Sequence, residues 1–143
     1  MKVMVSACLL GDNVKYNGKN NKNDALIEFL KDKEVIKVCP ECLGDLKVPR
    51  SPSEIQDNKV INKDGIDVTN SYLKGAEKTL KIANDENIKV AILKKNSPSC
   101  GSQKIYDGTF SNKLIKGDGI TAKILKKNGI VVLDEDNYLE YKW

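Results

Sequence analysis

The chain contains the stretch Val90-Ala-Ile-Leu-Lys-Lys-Asn-Ser-Pro-Ser-Cys-Gly-Ser102, in which an apolar run leads directly into a polar loop that carries Cys100. A short apolar run bounded by turn residues predicts a buried strand, so Cys100 is expected just beyond the carboxyl end of that strand. Cys8 and Cys39 also follow strand-like apolar segments. The carboxyl ends of parallel strands form one edge of a sheet, where ligands bind. We therefore predict that Cys8, Cys39 and Cys100 meet at this edge and hold a metal centre.

Strand-like and helix-like segments alternate along the chain. Apolar runs predict strands at 1–7, 35–38, 88–93 and 130–133, and apolar residues at helical spacing predict helices at 25–30, 67–87 and 119–127. This alternation predicts an α/β domain with a mostly parallel sheet of about four core strands and right-handed crossovers. The second strand is expected to be buried on both faces, and Asp24 is expected to cap the first helix. Residues 40–66 are rich in Pro and Gly and are expected to be largely irregular, apart from a short hairpin that pairs 60–61 with 65–66.

Length and composition are those of one ordinary globular domain. The chain has 143 residues, and we predict a single domain over 1–143. Apolar residues make up 40% of the chain and charged residues 31%, as is typical of water-soluble proteins. No apolar run approaches the roughly 20 residues that cross a bilayer, and the N-terminus lacks the layout of a signal peptide. These features predict a cytoplasmic protein with no membrane partner.

Net charge and composition exclude several kinds of partner and of catalytic site. The formal net charge of +4 comes from lysines scattered along the chain, with Arg50 as the sole arginine, and aromatic residues are 6%. Nucleic-acid-binding proteins usually concentrate Arg and Lys on one face with aromatic residues, so nucleic acid is not predicted as the main partner. The chain contains no histidine. Ser-His-Asp and Cys-His catalysis are therefore excluded, and acid–base chemistry is left to carboxylates, Lys, Tyr, Cys or hydroxyls.

The four cysteines are compatible with several kinds of site. Cys39 and Cys42 form a C-x-x-C, which is typical of a redox dithiol or of half a structural zinc site. A dithiol of this kind normally opens a helix, and little helix is predicted here; Cys8 and Cys100 do not form the second close pair of an all-cysteine zinc site. Free cysteine is also among the most buried residue types, so each thiol could be a core residue. Three thiolates suit an iron-sulfur cluster in which one iron has no protein ligand and can bind a substrate atom.

Two polar residues lie close to the predicted ligands in sequence. Glu41 is two residues after Cys39, and Ser97 is three residues before Cys100. If both cysteines bind one centre, the reach of the chain places the carboxylate and the hydroxyl within several ångströms of it. The alternatives are a solvated loop acid for Glu41 and a turn hydroxyl before a proline for Ser97.

Taken together and in order, these motifs resemble the TudS-type thiouracil desulfidases, and the resemblance covers nearly the whole chain. The segments that carry it are Ser6-Ala-Cys-Leu-Leu-Gly11, Tyr16-Asn-Gly18, Cys39-Pro-Glu41, Pro49-Arg-Ser-Pro52, Gly65-Ile-Asp-Val-Thr69, Ser97-Pro-Ser-Cys-Gly101, Ile105-Tyr-Asp-Gly108 and Gly117-Asp-Gly-Ile-Thr-Ala122. The resemblance implies a compact Rossmann-like α/β fold with helices on both faces of the sheet.

The resemblance also implies an activity and a cofactor. The family holds an oxygen-sensitive [4Fe-4S] cluster through three cysteines, which match Cys8, Cys39 and Cys100. The open iron binds the sulfur of a thiolated uracil or a related small thioamide, C=S becomes C=O, and sulfide is released. Glu41 and Ser97 match the residues used for proton transfer and substrate activation. The residues predicted to contact substrate are Ser6, Tyr16, Asn17, Gly18, Arg50, Ser99, Gly101 and Asp107.

Other functions stay open at this stage. A non-catalytic iron-sulfur or metal-binding sensor, or a structural zinc protein, would use the same cysteines.

The expected partner is a small molecule, a thiolated pyrimidine, and the expected assembly is a monomer or a small homo-oligomer. Cys42 and Asp45 depart from the family pattern, which has an apolar residue and a glycine there; Cys42 could be a silent thiol or could cap the open iron, and Asp45 could alter substrate preference.

Overall fold

The computed structural model describes residues 1–143. The chain forms eight strands and four α-helices in the order β1 (Lys2–Ser6), α1 (Asp24–Phe29), β2 (Glu34–Val38), α2 (Pro40–Leu43), β3 (Ser53–Gln56), β4 (Lys59–Asn62), α3 (Thr69–Asp85), β5 (Val90–Ile92), β6 (Lys104–Tyr106), β7 (Leu114–Lys116), α4 (Ile120–Lys127) and β8 (Val131–Leu133). Short 3-10 helices lie at Ala7–Leu10, Leu30–Asp32 and Tyr138–Glu140. No helix combines the length and the apolar character needed to cross a membrane.

A four-stranded parallel sheet is the centre of the fold. Its strands lie in the order β2-β1-β5-β8, with Met4 opposite both Ile36 and Ala91 in register. This confirms the prediction of an α/β fold with about four parallel core strands. The prediction that the second strand is buried on both faces is wrong, because β2 is an edge strand: it pairs only with β1, and Glu34 and Lys37 are exposed.

Two hydrophobic clusters cover the two faces of this sheet, because alternate strand residues point to opposite faces. Met4 and Ala91 point to the face that packs against α3 and α4, while Val3 and Val5 point to the other face with Leu26 of α1. The predicted helices on both faces are therefore confirmed. The C-terminal segment also covers the α1 face, where the buried Tyr138 and Trp143 both pack against Phe29.

Local structure departs from prediction in two further places. The cap of α1 is Asn23, whose side-chain oxygen accepts the Leu26 N–H at 3.0 Å, and Asp24 is the first helical residue. The segment 40–66 is more regular than predicted. It contains the one-turn helix α2, and β4 pairs with β3 in an antiparallel hairpin. The predicted pairing of 60–61 with 65–66 is present only as an isolated antiparallel bridge one residue further on, between Ile61 and Asp67.

Helices α2 and α3 cross with their backbones in contact. A Cβ on Gly44 would lie 2.0 Å from the carbonyl oxygen of Ser71, and one on Gly75 would lie 1.9 Å from that of Pro40. Cys39 is the N-cap of α2 and Glu41 lies in its first turn. The two glycines therefore determine how closely this turn of chain approaches the rest of the protein.

Gly75→Ala tests this contact. Helix propensity alone predicts that the substitution stabilises α3 by about 1 kcal/mol. The overlap with the Pro40 carbonyl forces α2 outward, and overpacking of this kind costs up to about 3 kcal/mol or more, so we expect a net fall in the free energy of unfolding. Urea unfolding measures it, with Lys78→Ala on the exposed face of the same helix as the control. A variant more stable than the parent would show that α2 moves aside freely.

Candidate active site at the carboxyl end of the sheet

A cleft of about 520 Å³ opens at the carboxyl ends of β1, β2 and β5. The residues that follow these strands form its floor, and the segments 14–16, 50–54 and 106–112 contribute to its walls. Cys8, Cys39 and Cys100 all line it. The convergence of these three thiols at one edge of the sheet follows from the parallel strand order, since each cysteine comes directly after the carboxyl end of a neighbouring strand or within the loop that follows it.

The loop that carries Cys100 is organised by Ser97. The Ser97 Oγ accepts the backbone N–H groups of Ser99 and Cys100, both at 3.0 Å, and the Ser97 carbonyl accepts the N–H of Gly101 at 2.9 Å. Ser6 supports the same thiol from β1. Its Oγ accepts the Lys94 N–H at 2.9 Å and lies 3.8 Å from the Cys100 Sγ. Ser6 therefore holds a sulfur ligand in place at the floor of the cleft.

All three thiols have raised pKa values. Burial raises the pKa of Cys100, and the nearby Glu41 carboxylate adds to the effect. Burial also raises the pKa of Cys8, although a hydrogen bond with Asn21 and the charge of Lys94 oppose it. Burial raises the pKa of Cys39 in the same way. The sulfurs are therefore neutral thiols without a bound cation, and binding of a metal centre must release their protons.

The candidate metal ligands of the cleft are sulfur atoms, and they do not form a compact site for a single ion. No group of three or more Cys, Asp or Glu side chains lies close enough to hold one metal ion. Thiolates that bind separate irons of one cluster are spaced more widely than the ligands of a single ion. Three cysteine sulfurs around one cleft, with no histidine in the chain, therefore fit an iron-sulfur cluster by the softness of the donors.

Cys42 does not line the cleft. It lies one turn after Cys39 on α2, and its side chain influences the titration of the Cys39 thiol. Asp45 also lies away from the cleft. It follows α2 in the left-handed conformation, with φ of 66°, and pairs with Lys74 of α3. The hypothesis that Asp45 alters substrate preference therefore has no support in its position.

Glu41 is the centre of a polar network beside the thiols. Its Oε2 accepts the Arg50 Nε at 3.0 Å and the Arg50 Nη2 at 2.7 Å, and its Oε1 lies 3.5 Å from the Ser97 Oγ. The Tyr72 side chain is also close. Burial and the Glu41 carboxylate raise the pKa of the Tyr72 hydroxyl, so the phenol stays protonated. This network therefore combines the Glu41 carboxylate with two hydroxyl groups that can donate hydrogen bonds.

Three aromatic side chains line the cleft. Tyr16 belongs to the segment 14–16, Tyr106 and Phe110 belong to the segment 106–112, and all three line this space. Phe110 is held there by Glu54, whose Oε1 accepts the N–H groups of Gly108 at 3.0 Å and Phe110 at 3.1 Å. Aromatic walls suit a flat ring, since stacking favours planar partners.

The structure brings together most of the predicted site residues. Those that line the cleft are Ser6, Cys8, Tyr16, Cys39, Glu41, Arg50, Ser97 and Cys100. Those that do not line it are Asn17, Gly18, Ser99, Gly101 and Asp107.

The residues outside the cleft have identifiable structural roles. Asn17 and Gly18 form an exposed turn, closed by the Asn17 side chain and by φ of 78° at Gly18. Ser99 is buried against α4, with its Oγ 2.8 Å from the Thr121 Oγ1. Gly101 is packed so closely that a Cβ would lie 2.7 Å from the Ser97 carbonyl oxygen. Asp107 is half-buried, and its Oδ1 closes a turn by accepting the Thr109 N–H at 3.0 Å. These five residues therefore lie outside the cleft, and substrate contact by them stays a prediction.

Several residues of the cleft were not predicted. They are Asn21, Ser53, Glu54, Lys63, Tyr72, Lys94, Tyr106, Phe110 and Asn112, among others. Tyr72 lies on the buried face of α3, and this face carries it to the cleft. The others lie on hairpins and loops, where spacing carries no information about direction.

Asp118 connects the Cys100 loop to α4 and gives a test at acid pH. Its Oδ1 accepts the Gln103 N–H at 2.9 Å and the Lys126 Nζ at 2.8 Å. Burial raises the pKa of Asp118, but these two hydrogen bonds outweigh it and leave the pKa below its usual value. A carboxyl group whose pKa is lower in the folded state stabilises the protein at pH values above its unfolded-state pKa. This stabilisation is lost as the pH falls through the folded-state pKa.

We therefore expect Asp118→Asn to reduce the free energy of unfolding by about 1 kcal/mol at neutral pH, since a hydrogen bond to a charged group is lost. The difference from the parent should shrink as the pH falls below about 4, the usual aspartate pKa. Urea unfolding at a series of pH values measures it, with Asp57→Asn in the exposed turn between β3 and β4 as the control. A difference that does not change with pH would contradict the assigned cause.

Comparisons with known proteins give a consistent result. Residues 3–137 match the family model described as 2-thiouracil desulfurase. The chain is 41% identical to the uncharacterized protein YbbK of Bacillus subtilis (strain 168) over 144 aligned positions, which cover 94% of this chain and 95% of YbbK. It also resembles the solved structure of the [4Fe-4S]-dependent thiouracil desulfidase TudS, with a TM-score of 0.90 and 40% identity, covering 97% of this chain and 93% of that one.

Proposed function

This chain belongs to the 2-thiouracil desulfurase family, and from that premise we propose that it is a [4Fe-4S]-dependent desulfidase that removes sulfur from thiolated uracil or a related small thioamide. The observation that carries the proposal is that Cys8, Cys39 and Cys100 line one cleft together with Glu41 and Ser97. The overall reaction is hydrolytic: C=S and water give C=O and hydrogen sulfide, with no net transfer of electrons.

Cys8, Cys39 and Cys100 would hold the cluster as thiolates. When bound, the cluster supplies an iron without a protein ligand, a Lewis acid that accepts the substrate sulfur. Burial raises the pKa of Cys8, and the charge of Lys94, which lines the same cleft, opposes this rise and so favours the thiolate that a ligand must become. Ser6 positions Cys100 through its hydroxyl.

The protein residues then have separate tasks. Tyr16, Tyr106 and Phe110 form walls that fit a planar pyrimidine. Glu41 is the general base that takes a proton from the attacking water, because it is the carboxylate nearest to Ser97 and the chain has no histidine. Ser97 has a hydroxyl proton to donate, and holds the substrate in position through a hydrogen bond.

The position of Ser97 also explains why this residue is suited to two roles. Its oxygen accepts two backbone N–H groups, so its hydroxyl proton is directed elsewhere, toward Glu41 Oε1 or a bound substrate. The same contacts arrange the loop around Cys100. Substrate orientation and cluster binding therefore depend on one turn of chain.

The proposed setting is the cytoplasm, with a free small molecule as the partner in preference to nucleic acid. Two of the four lysines that line the cleft, Lys94 and Lys95, are paired with Glu135 and Asp136, which reduces the positive charge that the cleft presents. A monomer or a small homo-oligomer is sufficient for the proposed chemistry, since all the residues assigned to it belong to one chain.

An anaerobic preparation tests the proposal. We expect a brown protein with broad visible absorbance and about four irons per chain, which distinguishes it from a zinc protein. Conversion of 2-thiouracil to uracil with one sulfide released per uracil then distinguishes an enzyme from a sensor. A fully loaded protein that does not turn over 2-thiouracil or any other small thioamide would contradict the proposed function.

A further inference from the structure

We infer that Arg50 is a positioning residue that fixes the Glu41 carboxylate, and not a residue that binds substrate. The inference rests on the proposed function, in which Glu41 is the general base. It is carried by the hydrogen bonds and the burial of the Arg50 side chain, and it proposes a different role from the substrate contact predicted for this residue.

The donors of Arg50 are nearly all occupied by the protein itself. A guanidinium has five N–H donors in a fixed planar arrangement. Nε and Nη2 both donate to the Glu41 Oε2, at 3.0 and 2.7 Å. Nη2 also donates to the Val14 carbonyl at 3.0 Å, and Nη1 donates to the Lys47 carbonyl at 3.2 Å. One N–H is left, which is too few for the paired hydrogen bonds with which arginine recognises an anion.

Arg50 is also held firmly. Its side chain is 10% exposed and that of Glu41 is 16% exposed, so the pair is weakly screened by water. The Arg50 backbone N–H donates to the Tyr16 carbonyl at 2.7 Å. Arg50 is therefore anchored at its backbone and at its guanidinium, and a carboxylate bound to it by two hydrogen bonds takes up a defined orientation.

That orientation matters because the two oxygens of Glu41 are made different. Oε2 is committed to Arg50, while Oε1 lies 3.5 Å from the Ser97 Oγ and is free to accept a proton. Without Arg50 the carboxylate could turn, and general-base catalysis depends on geometry as much as on basicity. Arg50 therefore acts on the reaction through Glu41.

A double-mutant cycle on the reconstituted enzyme tests this role. The four proteins are the parent, Arg50→Gln, Glu41→Gln and the double variant, each measured for iron content, KM for 2-thiouracil and kcat. We expect Arg50→Gln to keep its iron, to change KM by less than about threefold and to lose about 10- to 100-fold in kcat. In the Glu41→Gln background, Arg50→Gln should alter kcat by less than about threefold, because the effects of substitutions at two residues that act as one unit do not add.

Two further variants act as controls. Lys63 lines the cleft and makes no ion pair, so Lys63→Ala removes a positive charge from the wall without touching Glu41. Its effect on kcat, whatever its size, should be the same in the parent and in the Glu41→Gln background. Arg50→Lys keeps the charge but not the planar fork, so we expect it to recover less than about a tenth of the lost kcat.

A thermal cycle on the same four proteins needs no turnover, and so separates this inference from the proposed function. Arg50→Gln leaves the largely buried Glu41 carboxylate without its partner, and we expect a fall in Tm that is clearly smaller when Glu41 is already replaced by glutamine. If the parent fails to turn over thiouracil but this coupling in Tm is present, the proposed function fails and the positioning contact stands. The role proposed for Arg50 would be overturned if Arg50→Gln lowered kcat and Tm by the same amounts in the parent and in the Glu41→Gln background. It would also be overturned if Arg50→Gln changed only KM.

Discussion

Replacement of Cys8, Cys39 or Cys100 by serine is expected to remove the bound iron and with it all activity. Each of these residues supplies a sulfur at the cleft, and a cluster with one open iron needs all three protein ligands. A serine hydroxyl is nearly isosteric but is a hard donor that remains protonated at neutral pH, so it does not replace a thiolate at iron. We expect less than about one iron per chain in each variant, against about four in the parent.

Cys42→Ser is the matched control for this series. Cys42 is a thiol of the same turn of chain as Cys39, but it does not line the cleft. Its variant should therefore keep the full iron content and the visible absorbance after anaerobic reconstitution. Circular dichroism establishes that all four variants are folded. Loss of iron in Cys42→Ser, or retention of iron in any of the other three variants, would mean that the ligand set has been assigned wrongly.

The sheet and the meeting of the three cysteines could be predicted because they depend on burial alone. Val90 to Ile92 are fully buried, and an apolar run of this kind is recognisable without knowledge of its neighbours. Parallel strands then bring their carboxyl ends to one edge, whatever their order. This is why Cys8, Cys39 and Cys100 could be assigned to one site from strand ends that are far apart in sequence.

Features that depend on a specific neighbour could not be predicted. The order of strands makes β2 an edge strand, and nothing in Val35 to Val38 indicates that position. The helix α2 is one turn long, and its docking depends on the contact between Gly44 and Gly75, which are 31 positions apart. A short helix that is fixed by close backbone contact has too little periodicity to be recognised.

The same distinction holds inside the site. Ser99 and Gly101 lie in the same loop as Cys100, yet they point away from the cleft to pack against α4 and the Ser97 carbonyl. Proximity in sequence to a ligand therefore did not predict contact with the cleft. Arg50 was predicted to lie there and does, but its partners are Glu41 and two backbone carbonyls, which only the positions of side chains reveal.

Glu41→Gln is expected to bind the cluster and the substrate normally and to lose about two to four orders of magnitude in kcat, the usual size of a general acid–base contribution. The amide oxygen can still accept hydrogen bonds from Arg50, so the fold of the site should be kept. The amide cannot take a proton from water at neutral pH, so the chemical step is what fails. Iron content, the KM for 2-thiouracil and single-turnover sulfide release under anaerobic conditions measure the three properties separately.

The cleft itself supplies the matched control, since Glu54 is the other carboxylate that lines it. The Glu54 Oε1 accepts two backbone N–H groups, which the oxygen of an amide can also accept, so Glu54→Gln should lose less than about tenfold in kcat. The comparison also limits the alternatives. If Glu41→Gln retained full iron and turned over thiouracil near the parent rate, the base would have to be another group. Asp107 is a poor candidate, because it lies outside the cleft and accepts hydrogen bonds from Thr109. A large loss of kcat in Glu54→Gln would instead identify Glu54 as the general base.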